Sequence, residues 1–446
     1  MLFSQLRSGM KKNSAILRNS FAMTVFSLLL LFIFLGGCKE KKPASGTALT
    51  FITWRPNQPE VWEEVYEIFE RENPDITIVR EVGPHSSTAF HDLLVQKLKN
   101  KSKVVDVFFM DVIWPSEFAA AGWAAPLSPY FSTAEKKDFL AGAILANTYK
   151  GEVFGVPLFI DNGMLYYRKD LLEKYRLKPP VTWDELVWQA EKIVAMETST
   201  GEDIAGYSGQ FKQYEGLVCN MLEFILGNGG QVIDPQTGKS ALGQRPAVEA
   251  VQYVRDRIIG KIAPPGVLTY QEPESLDVFI QGKAVFHRNW PYAWEIANNP
   301  AKSRIAGKVG IAKLPHLQGG ESHATLGGWQ LGIGNYSEHK EAAWRLVSFL
   351  TSARIQKMFA LKSGKAPTRG ALYHDADVMR ANPHFASLAE VFTTAYPRPR
   401  SPLYPAISNV LQRYFSEVIS RHDSPVYEKA LAANGEIDRL LALANQ

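Results

Sequence analysis

The sequence predicts an α/β protein of two domains. Three observations carry that reading. Strand-like and helix-like stretches alternate through the first part of the body, the alternation resumes near residue 309, and 446 residues exceed what one hydrophobic core usually serves. Residues 50–54 form a short β run that turns at Pro56 and Pro59. A helix follows with Trp62, Val65 and Phe69 on one face and Asn73-Pro74 as its stop. Residues 76–79 are the next strand, a second helix runs from about 87 to 98, and residues 104–110 are a third strand, apolar apart from Asp106. This order implies a parallel sheet covered on both faces. Asp111 and Trp114 then lie just beyond a strand's carboxyl end, where open α/β sheets place their ligand crevice. Residues 155–160 read as a strand leading to Asp161, and 164–168 as another. A helix starts behind Pro179-Pro180, with Thr182 and Glu185 as a capping box and Leu186, Ala190, Ile193 and Val194 as its buried face. Strands recur at 309–312 and 331–334, and from about residue 338 helical patterning dominates.

The amino terminus says where the chain works. Residues 21–35 carry no charge and follow Lys11, Lys12 and Arg18, with no acidic residue before Cys38. That polarity is a secretory signal, and the run is short for a spanning helix, which needs roughly 20 residues. Leu35-Gly36-Gly37-Cys38 resembles a bacterial lipobox. The resemblance implies cleavage before Cys38 and lipidation of its thiol and new amino group; an uncleaved anchor, or a free thiol after an ordinary signal, are the alternatives. Residues 1–37 are thus read as a lipoprotein signal peptide and 38–48, rich in Lys, Pro, Ser and Gly, as a lipidated tether. Met10-Lys11-Lys12 would itself make a typical signal start, so translation from Met1 or from Met10 stays open.

Removing 37 residues leaves 409 and takes away four of the 49 basic side chains, so the mature chain balances 45 acidic residues. There is no global field to draw in nucleic acid or an anionic membrane. The one dense basic run, Lys97, Lys99, Lys101 and Lys103, reads as a solvated helix end and loop. With Cys38 committed to lipid, Cys219 has no partner for a disulfide, and its apolar neighbours predict a buried, inert thiol.

No catalytic signature is present: no Gly-x-Ser-x-Gly, no His-Glu-x-x-His, no phosphate-cradling glycine loop. The nine histidines are scattered and predict neither metal nor cofactor. Asp111 and Asp161 would serve as the paired carboxylates of a glycosidase only at a fixed separation. What stands out is aromatic residues beside turns and polar groups: Trp54, Trp114, the stretch Arg288-Asn289-Trp290-Pro291-Tyr292, Gly327-Gly328-Trp329, and Tyr396-Pro397-Arg398. Sugars suit such a wall, because their C–H faces lie on aromatic rings while their hydroxyls seek planar, bidentate partners such as Asp, Glu, Asn and Arg.

At this point the chain resembles bacterial extracellular solute-binding protein family 1, the sugar-binding proteins of ABC importers, and most closely those that bind trehalose and maltose. The matching stretches are residues 106–111, Asp161 with 165–175, 212–219, 288–294, 324–329 and 391–399. Carried over by position, the family's sugar-binding carboxylates fall on Asp111 and Asp161, its aromatics on Trp290, Tyr292 and Trp329, a backbone contact on Gly327 and its arginine on Arg398. Two positions depart. The family's first-helix glutamate aligns with Gln58, although Glu60 lies two residues on, and a tyrosine before the second aspartate is Phe159. The resemblance implies a two-lobed periplasmic-binding-protein-like fold with a hinge between lobes and a ligand cleft at their interface. Lobe I would span 49–158 plus 312–362, and lobe II 159–311 plus 363–446. It also implies a monomeric, non-enzymatic protein that captures an α-linked disaccharide such as trehalose or maltose by hinge closure. Its partners would be membrane permease subunits powered by a cytoplasmic ATPase, with the protein facing the periplasm or cell exterior. An extracellular carbohydrate-active enzyme and a sugar-sensing surface lipoprotein are the alternative readings.

Overall fold

A computed structural model describes residues 46–444, apart from 57, 387, 389–394, 397 and 400. The signal segment, Met10, Cys38 and most of the tether lie outside the described residues, as does most of 391–399.

The chain opens on strand β1 (Thr47–Thr53), helix α1 (Pro59–Glu72), β2 (Ile76–Val82), α2 (Ser87–Leu98) and β3 (Val107–Asp111). Strands β4 (Val156–Asn162) and β5 (Met164–Arg168) follow, then α3 (Trp183–Thr198), β6 (Ala205–Ser208) and α4 (Glu215–Leu226). Next come α5 (Glu272–Ile280), β7 (Ala284–Asn289), α6 (Ala293–Asn298), β8 (Val309–Ala312) and β9 (Ala324–Ile333). The carboxyl end holds α7 (Lys340–Leu350), α8 (Ala353–Ser363), β10 (Ala395–Tyr396), α9 (Tyr404–Ser420) and α10 (Val426–Ala444). Further elements, among them a helix over Arg245–Tyr253, fill the connections.

Local chemistry sets these boundaries. Helix α1 takes Pro59 in its first turn, buries Trp62, Val65, Tyr66 and Phe69, and ends where the Asn73 N–H reaches the Phe69 carbonyl. Both halves of the capping box form at α3: Thr182 accepts from the Glu185 N–H, and Glu185 accepts from the Thr182 N–H. Leu186, Ala190 and Ile193 are buried there, whereas Val194 is only half-buried. The third strand begins later than its apolar run predicts. Val104 is 68% exposed, because buried Asp106 turns its carboxylate onto the Thr50 N–H at 2.8 Å and the Ser337 hydroxyl at 2.5 Å, a side-chain tie in place of a ladder.

Two sheets result. The first has the order β10-β9-β3-β1-β2, with β4 on the other side of β9. Strands β1, β2 and β3 run parallel, as expected. Strand β9 runs antiparallel to both β3 and β4, so the sheet is mixed. The expectation of a purely parallel sheet came from the first five elements; β9 arrives from the second sheet and so enters reversed. That second sheet has the order β8-β5-β7-β6, antiparallel except between β6 and β7. Separate apolar cores back the two sheets, one gathered on β1, β3, α1 and α7, the other on α3, α4, α9 and α10. A third joins α5 and α6 to the end of α8.

The crossing between sheets is abrupt. Gly163 alone separates β4 from β5. A Cβ on it would stand 2.0 Å from Glu223 Oε1 and 2.7 Å from Arg288 Nη2, so only glycine lets this backbone run against that buried pair.

Candidate functional site

Where the sheets meet, one cavity opens, with about 670 Å³ of empty space that includes solvent at its mouth. Eight of the ten ligand residues expected from sequence line it: Asp111, Phe159, Asp161, Trp290, Tyr292, Gly327, Trp329 and Arg398. Strand register explains the convergence. Gly327 pairs with Asp161 and Trp329 with Phe159 across β9 and β4, while Trp329 also pairs with Asp111 at the end of β3. Gly327 is small for a reason: a Cβ there would lie 3.0 Å from the Trp290 ring and 3.3 Å from the Asp161 Cβ. Gly328 has φ +138, and a Cβ on it would meet the Phe159 carbonyl at 2.7 Å.

Arg398 is buried and shared. Its Nη1 donates to Glu215 Oε1 at 2.7 Å and its Nη2 to Asp111 Oδ1 at 3.0 Å and the Leu326 carbonyl at 3.3 Å. Glu215, the first residue of α4, is itself fixed by the Tyr404 hydroxyl at 2.8 Å and by the Ser408 hydroxyl. A planar guanidinium is suited to bridging two carboxylates in this way. Burial pushes Asp111 up to about 6, against the pull of Arg398. Asp161, 7% exposed, is pushed up to about 6 by burial, with Lys365 opposing and Asp111 adding to the rise. Its Oδ1 has no hydrogen-bond partner.

The aromatic walls are supported from behind. Trp290 lies with its face 3.9 Å from the Arg288 guanidinium and donates its Nε1 to Glu272 at 3.2 Å. The Tyr166 hydroxyl donates to the Trp290 carbonyl at 2.8 Å. Trp329 stacks on Trp54 at 5.2 Å with an interplanar angle of 15° and meets Trp114 edge to face. Trp114, singled out in the sequence as an aromatic beside a turn, is 2% exposed and stacks on Phe118; it is a core residue beneath the site.

Gln58 and Glu60 do not line the cavity. Gln58 is 2% exposed and donates its Nε2 to Glu295 on α6 at 2.6 Å. An amide donates there, which a carboxylate cannot. Glu60 is exposed in the first turn of α1. The cavity also draws in Trp54, singled out in the sequence only as an aromatic beside a turn, and four residues that were not singled out: His85, Glu215, Glu272 and Lys365. Glu215 falls within the matching stretch 212–219. Lys365 sits between helices in a segment without periodic pattern, so nothing local marks it.

Cys219 is buried, and burial pushes its thiol pKa up. Among the described residues no group of three or more His, Cys, Asp or Glu is placed to hold a metal ion, and no helix is long and apolar enough to cross a membrane.

The raised pKa of Asp161 gives a pH prediction. Its folded value of about 6 exceeds its ordinary 3.8, so between these values the folded protein holds a proton that the unfolded chain has released. Stability of the ligand-free protein is therefore expected to fall as pH rises from about 4 to about 6, by up to about 1.4 kcal/mol per unit of pKa difference. Melting temperatures at pH 5 and pH 7.5 check this, and Asp161→Asn should flatten that part of the slope.

A family model described as bacterial extracellular solute-binding protein matches residues 55–357. A probable ABC transporter-binding protein of Deinococcus radiodurans is 40% identical over 347 residues, covering 77% of this chain and 81% of its own. The maltotriose-binding protein of Pyrococcus abyssi is 24% identical over 394 residues, covering 85% of this chain and 79% of its own. Among solved structures, maltose-bound T. maritima MalE3 superposes with a TM-score of 0.82 at 41% identity, covering 89% of this chain and 99% of that one. The two-lobed periplasmic-binding-protein-like fold with a cleft between hinged lobes is therefore the fold of this chain. Its relatives bind solutes and do not transform them, which removes the enzyme reading. The chain belongs to the bacterial extracellular solute-binding protein family.

Proposed function

We propose that this protein captures a sugar, an α-linked disaccharide such as maltose or trehalose, and delivers it to the membrane permease of an ABC importer powered by a cytoplasmic ATPase. The observation that carries the reading is the composition of the cavity. Carboxylates at Asp111 and Asp161 share the cavity wall with the aromatic side chains of Trp290, Tyr292 and Trp329, the pairing that a sugar's hydroxyls and C–H faces require. Names of relatives support the class: one is called maltotriose-binding, and one solved structure is maltose-bound.

The mechanism is closure of a hinge. Lobe I, expected over residues 49–158 plus 312–362, contributes Asp111 and Trp329 and also Asp161, because β4 (Val156–Asn162) pairs with β9 in the first sheet and carries the boundary on to Gly163. Lobe II, expected over 159–311 plus 363–446 but beginning instead after that glycine, contributes Trp290, Tyr292 and Arg398. A sugar touching both sets favours the closed form, because only that form makes both sets of contacts. The protein acts as a monomer, exported and held to the membrane by lipid on Cys38.

A thermal-shift screen of the mature chain against maltose, trehalose, sucrose, glucose and other mono- and disaccharides tests the reading. A ligand at 100 times its Kd adds about 2.7 kcal/mol to the folded state, which raises the melting temperature by several degrees. A shift with an α-linked disaccharide supports the proposal, and no shift with any sugar overturns it. Cys38→Ser is expected to move the mature protein from the membrane to the soluble fraction without changing its affinity, as fractionation and calorimetry would show.

A further inference from the structure

The hydrogen-bonding groups of the cavity are unevenly spent. Acceptors are plentiful, with Asp111, Asp161, Glu215 and Glu272 all on the wall. Several of the donors are already used, although the Arg398 Nε is buried without a partner. Both terminal nitrogens of Arg398 are engaged by Glu215, Asp111 and the Leu326 carbonyl, and the Trp290 Nε1 is engaged by Glu272.

Lys365 is different. It lines the cavity and is 6% exposed. Its ammonium stands 4.5 Å from the centre of the Phe159 ring, 5.0 Å from Tyr292 and 5.5 Å from Trp54. Among the described residues it has neither a hydrogen bond nor an ion pair, although it carries three N–H donors. The three rings hold the charge by cation–π attraction and restrict where it points, but they satisfy none of those donors. A cation that faces the cavity with no protein acceptor leaves its donors to water or to whatever enters the site.

Asp161 is placed to share that task. Phe159 and Asp161 are two residues apart on β4, so their side chains leave the same face of the strand. The ammonium over Phe159 is thereby set beside Asp161, whose Oδ1 also lacks a partner. One donor and one acceptor, both unspent, face the same corner of the cavity.

We infer that Lys365 is a ligand-binding residue that works with Asp161 to read a vicinal diol: Lys365 donates to one hydroxyl oxygen, and the neighbouring hydroxyl donates to Asp161. The inference rests on the sugar reading and narrows it. A neutral ring with two adjacent hydroxyls fits the corner. An amino sugar carrying its ammonium at the Lys365 position sets like charge against like, and an anionic sugar meets four carboxylates.

Calorimetry on the mature protein, with maltose or whichever sugar gives the largest thermal shift, tests this together with that sugar's monodeoxy analogues. Wild type is expected to lose about tenfold or more in affinity for an analogue lacking one of the two hydroxyls. Lys365→Met is expected to bind the parent sugar tenfold or more weakly, yet to show no further loss with the analogue lacking the hydroxyl that Lys365 contacts. A merely structural role would weaken every analogue by one common factor. Lys365→Gln, which keeps a neutral donor, should recover part of the parent affinity and serves if the methionine variant is unstable. Parent affinity unchanged in both variants, or one common factor across all analogues, overturns the inference while leaving the sugar reading intact. A wild-type protein that binds no sugar overturns the sugar reading, and this inference with it.

Discussion

Arg288→Met is expected to lower the stability of the protein by about 3–5 kcal/mol, the cost of stranding one member of a buried ion pair. Arg288 is fully buried, and its Nε and Nη2 hold Glu223 at 2.9 and 2.5 Å. Glu223 also accepts from the Thr325 N–H at 3.1 Å at the start of β9. The pair therefore links α4, β7 and β9, and methionine fills the space while leaving the carboxylate without its counter-charge. Urea denaturation with the midpoint and slope both followed would measure the loss. A change under 1 kcal/mol would show that Glu223 finds water or a proton at little cost. Trp290, whose ring rests on the same guanidinium, should lose part of its fixed orientation, so sugar affinity should fall in parallel.

Trp329→Ala and Trp290→Ala are each expected to weaken sugar binding tenfold or more, about 1.4 kcal/mol. Their effects on folding should differ. Trp329 is packed on Trp54, Phe109 and Trp114, so its removal opens a void in the first core and should lower the melting temperature as well. Trp290 is held mainly by Arg288 and Glu272, and its removal should cost affinity more than stability. Calorimetry for affinity and melting curves for stability separate the two. Full affinity in both variants would remove these rings from the site.

Much of this site was legible because it is written at the ends of strands. Asp111 closes an apolar strand and Asp161 lies one residue from the end of another, and Trp329 stood out beside its two glycines. Lys365 was not legible, since its importance comes from three rings brought together from residues 54, 159 and 292, a coincidence of tertiary structure. Gln58 misled for the opposite reason. Its place in the chain matched a binding position, yet a partner 237 residues away takes its amide. The reversed strand β9 escaped because periodicity identifies a strand without its direction; only the order of sheets around it decides that. Trp114 looked like an exposed ring from its turn, but the aromatic stack above it seals it in.

One residue, Gly163, joins the two sheets at β4, and Asp161 stands two positions before it. A sugar bound at Asp161 would therefore sit close to the fulcrum of the proposed closure and not at the tips of the levers. In the proposed closure, a rotation about that point would displace the cavity walls by little and the outer rims of the lobes by much more, as a mechanical amplifier does. On that proposal, contacts of hydrogen-bond length near the axis would decide whether a solute is accepted, while a membrane partner would have only to sense the larger travel of the rims. Selectivity and docking would thereby fall at different radii of the same turn.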